Sequence, residues 1–115
     1  MVMKNIIYIW VDDVRPMPTN YDFHYKSVWE FIRNFGEGDI GYECDYIIDL
    51  DHDAGDYGDD YIKILEWLEE LKYVEGKEPC KLFYLHTGNP VGRERMRQII
   101  KRCGWEEKEV EWELI

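Results

Sequence analysis

The sequence predicts an α/β protein built on a parallel sheet with right-handed crossovers in three layers. Two observations carry that expectation. Apolar strand-like runs alternate with helical stretches from end to end, and three of the runs stop abruptly at carboxylates or histidine.

The first run, residues 5–11 and IIYIWV in the main, is continuously apolar, β-branched and aromatic, as a strand buried on both faces should be, and it ends at Asp12 and Asp13. After the Pro-punctuated VRPMPTN, Tyr21, Phe23 and Tyr25 alternate along YDFHYK and predict a short strand with these three on one side. Ser27 followed by Glu30 makes a capping box. Val28, Phe31, Ile32 and Phe35 then give helical spacing up to Gly36 and Gly38. CDYIIDLD at 44–51 reads as another buried strand that closes in Asp51, His52 and Asp53, with Gly55 and Gly58 breaking the chain beyond it.

Tyr61, Ile64, Leu65, Leu68 and Leu71 trace one face of a helix over 60–73, with glutamates outside and Trp67 on its flank. CKLFYL at 80–85 is a further strand, running into His86 and Thr87. GNPVG at 88–92 reads as a loop, and 93–103 as a helix with Met96, Ile99 and Ile100 inward and Gly104 as its stop. The tail VEWELI, with Val110, Trp112 and Leu114 on one side, predicts a charged edge strand.

At 115 residues the chain is the size of one domain, 1–115. A hydrophobic content of 45% excludes a disordered acidic segment, so the net charge of −11 belongs on the surface of a folded body. That charge also excludes a broad, sequence-independent grip on duplex nucleic acid, which needs many cationic contacts. No run approaches the length of a membrane span, and the expectation is a soluble, cytoplasmic protein. Cys44, Cys80 and Cys103 are odd in number and lack a C-x-x-C pair, which fits reduced packing residues. The tryptophans read as core and rim, and His24 as a surface or packing residue.

In an open parallel sheet, ligands bind outside the carboxyl ends of the strands. Asp12, Asp13, Asp51 and Asp53 all fall at such ends. Four converging carboxylates repel one another unless a hard divalent cation neutralises them, and oxygen-only donors point to Mg2+ or Mn2+. His52 would tilt the choice toward a transition metal. Asp49 lies one pleat inside the strand, where a supporting hydrogen bond is as open as direct metal contact. Opposite the acids, the HTGNPVGR stretch places Gly88 and Gly92 before a helix N-terminus and Arg93 near its first turn. A cation there disfavours the helix itself and makes sense if an anion sits between. A carboxylate metal site beside an anion loop describes a phosphate site.

VDDVRP (11–16), DLDHDAG (49–55) and HTGNPVGRERM (86–96), in this order and spacing, resemble the cyclic-phosphate-processing receiver-like family over nearly the whole chain. The resemblance implies a receiver-like (flavodoxin-like) three-layer fold with a mostly parallel five-stranded sheet, its first helix reduced to the loop VRPMPTN. It implies processing of a cyclic phosphate on an RNA end or a nucleotide. It also implies that Asp12, Asp13, Asp51 and Asp53 hold a metal, and that His52, His86, Thr87, Asn89 and Arg93 are the polar residues of the site. The chain departs from the family pattern at Ala54, where a bulkier apolar residue is usual, and at Asp49, where an uncharged one is.

Three functional readings follow. The first is a metal-dependent phosphoesterase with Asp51 and His86 catalytic, His52 as the alternative proton carrier, and Thr87, Gly88, Asn89 and Arg93 on the phosphate. The second is a signalling receiver phosphorylated on Asp51, which lacks the lysine such a domain needs at the end of its last strand: Lys108 precedes VEWELI. The third is a protein that binds a phosphate ligand without changing it.

Overall fold

The computed structural model describes residues 6–37, 45–51 and 60–108. Five parallel strands form one sheet: β1 (Ile6–Val11), β2 (Phe23–Tyr25), β3 (Asp45–Leu50), β4 (Cys80–Leu85) and β5 (Glu106–Lys108), in the order β2-β1-β3-β4-β5. The helices are α1 (Val28–Glu37), α2 (Ile62–Glu75) and α3 (Pro90–Arg102).

Side-chain alternation divides the sheet into two different faces. Ile9, Val11, Ile48, Leu50, Phe83 and Leu85 point into one core with Phe31 and Phe35 of α1, Leu65 and Leu68 of α2, and Met96 and Ile100 of α3. Phe31 and Phe35 stack at 5.0 Å and both meet the edge of Trp67, so α1 and α2 close over the sheet through aromatic rings. The opposite face carries Tyr8, Trp10, Asp49 and Tyr84. Its cover, among the described residues, is the helix-free segment 12–22, whose Tyr21 packs edge-on against Tyr8 and Trp10 at 5.5 and 5.4 Å. Right-handed connection explains the division: the chain runs one way along the sheet through α1, α2 and α3 and the other way only between β1 and β2.

The element boundaries follow local chemistry. Ser27 Oγ accepts the Glu30 N–H at 3.0 Å and so caps α1. Gly76 and Gly104 terminate α2 and α3 at φ 69° and 75°, left-handed positions that suit glycine. Some boundaries differ from the sequence reading, and α2 runs Ile62–Glu75 rather than 60–73. Tyr21 lies outside β2, because its N–H turns back to the Pro18 carbonyl at 3.1 Å; it therefore does not share a strand face with Phe23 and Tyr25. Helix α3 begins at Pro90, not at 93, because Asn89 caps it and proline's fixed φ and missing N–H suit the first helical position. Strand β5 opens at Glu106, ahead of VEWELI, which lies outside the described residues, as do Cys44, His52, Asp53 and Ala54.

Candidate functional site

The sheet register assembles the site. Val11 pairs with Leu50 and Leu50 with Leu85, so β1, β3 and β4 end level with one another. The backbone carries that alignment one residue further, with Asp51 N–H bonded to the Val11 carbonyl at 3.0 Å and His86 N–H to the Leu50 carbonyl at 2.9 Å.

Asp12, Asp13 and Asp51 each bring one carboxylate oxygen within 4.8 Å of the others. Asp12 is fully buried, while Asp13 and Asp51 are half-buried. No histidine or cysteine belongs to this group among the described residues. The donor set fits a hard divalent cation. A carboxylate has about four lone-pair sites. Asp12 uses three, with Oδ1 accepting the Val14 and Arg15 N–H groups at 2.8 and 2.9 Å and Oδ2 bonded to His86 Nε2 at 2.9 Å. One position on Oδ2 remains for a metal.

His86 is buried, its side chain only 1% exposed, and it is held on three sides. Nε2 donates to Asp12, Nδ1 donates to Asp49, and the ring lies flat on Trp10 with centroids 3.9 Å apart and 3° between planes. Asp49 in turn accepts the Tyr21 hydroxyl at 2.5 Å. Burial alone would pull the His86 pKa down, but Asp12 and Asp49 outweigh it and raise it above the ordinary imidazole value. Burial would push Asp12 up. Instead the His86 ring, with the Arg15 and Val14 N–H groups, holds it below the usual carboxylate value. Tyr21 is pushed up, first by burial and then by Asp49, and stays a neutral donor. With both nitrogens engaged, His86 would have to break a carboxylate bond to exchange a proton with substrate.

Two guanidinium groups grip the end of β4. Arg93 Nη2 donates to the Leu85 carbonyl at 2.8 Å, and Arg15 Nη1 donates to the next carbonyl, that of His86. Neither pairs with a carboxylate among the described residues. Arg93 Nε is buried with no hydrogen-bond partner, a condition that costs about 1–3 kcal/mol.

The loop between β4 and α3 is shorter than the sequence suggested. Thr87, 7% exposed, accepts the Asn89 N–H on Oγ1 at 3.0 Å, and Asn89 Oδ1 accepts the Gly92 N–H at 3.0 Å. Pro90 has no N–H, so the α3 terminus offers an anion fewer donors than a free helix end does. Gly88 is exposed, and a Cβ there would meet nothing within 4 Å, so it leaves open space beside Thr87.

The structure thus brings together Asp12, Asp13, Asp51, His86, Thr87 and Arg93, with Asn89 as a helix cap and His52 and Asp53 outside the described residues. It adds Arg15, Tyr21 and Trp10, and it gives Asp49 hydrogen bonds to His86 and Tyr21. His24 joins as well, its Nε2 donating to the Asp12 carbonyl at 2.7 Å. The two-residue offset of Asp49 from Asp51, which puts both on one side of the strand, left a supporting hydrogen bond and a metal contact open for it, and the hydrogen bond is what the side chain makes, to His86 and Tyr21.

A family model described as the cyclic-phosphate processing receiver domain matches residues 7–102. No curated protein and no solved structure matches the chain.

Proposed function

Because the chain belongs to the cyclic-phosphate processing receiver domain family, we propose that it is a metal-dependent phosphoesterase that opens or hydrolyses a cyclic phosphodiester on an RNA end or a nucleotide. The observation that carries this reading is the juxtaposition of three carboxylates, within 4.8 Å of one another, with two arginine heads bonded to consecutive carbonyls of the same sheet edge.

Asp12, Asp13 and Asp51 would hold Mg2+ or Mn2+, with Asp53 completing the acidic set. When bound, the metal supplies Lewis-acid polarisation of a phosphoryl oxygen and a lowered pKa for water. Arg93 and Arg15 orient the phosphate and stabilise charge that develops on its oxygens, since their remaining N–H groups are fixed in direction by the carbonyls they grip. The orphaned Arg93 Nε gains a partner when an anion arrives. Thr87 offers its hydroxyl proton to the same anion. His86 acts by holding Asp12, and His52 remains the alternative proton carrier. Among the described residues, no helix is long and apolar enough to cross a membrane.

The test is a panel of cyclic mono- and dinucleotides and 2',3'-cyclic-phosphate RNA ends incubated with Mg2+ or Mn2+ and followed by 31P NMR. The expected result is ring opening of at least one member, abolished by EDTA and by Asp51→Asn in a folded protein. Turnover that persists in EDTA sinks the metal mechanism. A base-labile mass adduct on Asp51 after treatment with a small phosphodonor, without turnover of the panel, would replace this reading with the signalling one.

A further inference from the structure

Asp49 is the anomaly of the sheet: a fully buried carboxylate on β3, between Trp10 of β1 and Tyr84 of β4. Burial of an ionised carboxylate is costly unless it is hydrogen-bonded, and an apolar residue would fill the position without that cost. Asp49 uses its two oxygens differently. Oδ2 accepts the Tyr21 hydroxyl at 2.5 Å, and Oδ1 accepts His86 Nδ1–H. Tyr21 is 6% exposed and comes from the segment between β1 and β2, so the bond ties that segment to the sheet. The chain of contacts does not end at the histidine. Across the ring, His86 Nε2 meets the Oδ2 of Asp12, the oxygen that keeps the one position open for a metal.

From this geometry we infer that Tyr21 and Asp49 are positioning residues: through His86, clamped flat against Trp10, they set the orientation of Asp12 Oδ2 and thereby the metal affinity of the acidic cluster. The inference rests on the metal reading proposed above. The mechanism is mechanical. Trp10 blocks one ring face, and the two carboxylates fix both ring edges, so the imidazole has no rotamer freedom to pass on to Asp12. Tyr21 fixes Asp49 in the same way, by occupying the oxygen that His86 does not use. Residues that orient a ligand carboxylate without touching the metal commonly change its affinity by about 10–100-fold when altered.

A staple that merely holds the segment 12–22 to the sheet predicts something else: loss of Tyr21 or Asp49 would lower stability and leave the metal affinity of the folded protein unchanged. The experiment is Mn2+ titration of the intact chain, followed by electron paramagnetic resonance of the free ion well below the unfolding temperature. It compares wild type, Asp49→Asn, Tyr21→Phe and the core variant Ile99→Val, with 15N shifts of the His86 ring recorded alongside. The expected result is a Kd raised about tenfold or more by Asp49→Asn, a smaller rise of the same sign for Tyr21→Phe, moved His86 ring shifts in both, and no change for Ile99→Val. Folded Asp49→Asn with wild-type Mn2+ affinity overturns the positioning role and leaves the metal site standing. Wild type that binds no Mn2+ overturns the metal reading and this inference with it. If Asp49→Asn does not fold, Tyr21→Phe, which removes only a hydroxyl, decides the matter by the same two readouts.

Discussion

Arg93 and Arg97 lie about one turn apart on α3, yet their charges are handled in opposite ways. Arg97 donates through Nε and Nη2 to the two oxygens of Glu107 at 2.6 and 3.1 Å and through Nη1 to Glu94 at 3.2 Å. Arg93 bonds one main-chain carbonyl and keeps a buried Nε without a partner. Arg102, at the far end, repeats the Arg97 pattern with Glu69 at 2.6 and 2.8 Å. In a chain with 25 acidic residues against 14 basic ones, carboxylate partners are plentiful. The difference teaches that a guanidinium beside the strand ends is pinned in place while its charge stays available, whereas Arg97 and Arg102 further along the helix are spent on the protein's own surface carboxylates. Arg15 belongs with Arg93 on this criterion, although it comes from a different element.

The largest effect that would break this comparison is on catalysis. Arg93→Ala is expected to lower kcat/KM about 100-fold, the scale of losing one donor to a developing oxyanion. Arg97→Ala is expected to change it less than about twofold, since surface substitutions away from such features act weakly. Steady-state kinetics on the cyclic phosphate identified by the 31P NMR panel checks both. Equal losses for the two variants would show that α3 works through its overall positive charge. Arg15→Ala is expected to cost about tenfold, mostly in KM, and Arg15→Lys to recover little, because a point charge does not reproduce the planar fork.

How far the sequence disclosed this site depends on whether a residue acts through its neighbours in the chain or across strands. Asp12, Asp13, Asp51 and His86 were legible because each follows an apolar run, and a parallel sheet gathers such ends along one edge. The hold on His86 was not. It depends on the register that sets Trp10 beside Asp49 and Asp49 beside Tyr84, which no local pattern encodes. Arg15 and Tyr21 sit in or beside a Pro-rich stretch whose composition announces a loop but not where its side chains go. The early start of α3 was legible in principle, since Asn89 before Pro90 carries both a cap and a first-turn signal; the glycines on either side argued for a loop and obscured it.

A smaller effect separates buried charge from exposed charge. His86 has a raised pKa in the folded protein, so its contribution to stability is complete below its ordinary value of 6.5 and disappears as pH rises through the raised one. Asp12 has a lowered pKa, so its contribution is present above its ordinary 3.8 and is lost as pH falls through the lowered one. Urea midpoints measured in EDTA should therefore be highest between about pH 4 and pH 6.5 and decline on both sides. His86→Gln should flatten the alkaline limb. An unchanged alkaline limb in that variant would mean that another group carries it.

The smallest effect concerns the spent arginines themselves. The Arg97 side chain is 32% exposed and its Glu107 partner 22%, so water screens the pair and each partner gives up side-chain freedom to hold it. The two-point geometry favours the upper part of the usual range, and Arg97→Ala is expected to cost no more than about 1 kcal/mol by urea unfolding, shrinking as salt is raised. Glu107 lies on β5, which pairs only with β4 among the described residues, so the pair also ties an edge strand to the helix that precedes it. A loss well above that range, insensitive to salt, would show that Arg97 anchors β5 through its packed aliphatic stem more than through its charge. The contrast with Arg93 would then rest on packing at one position and on an available charge at the other.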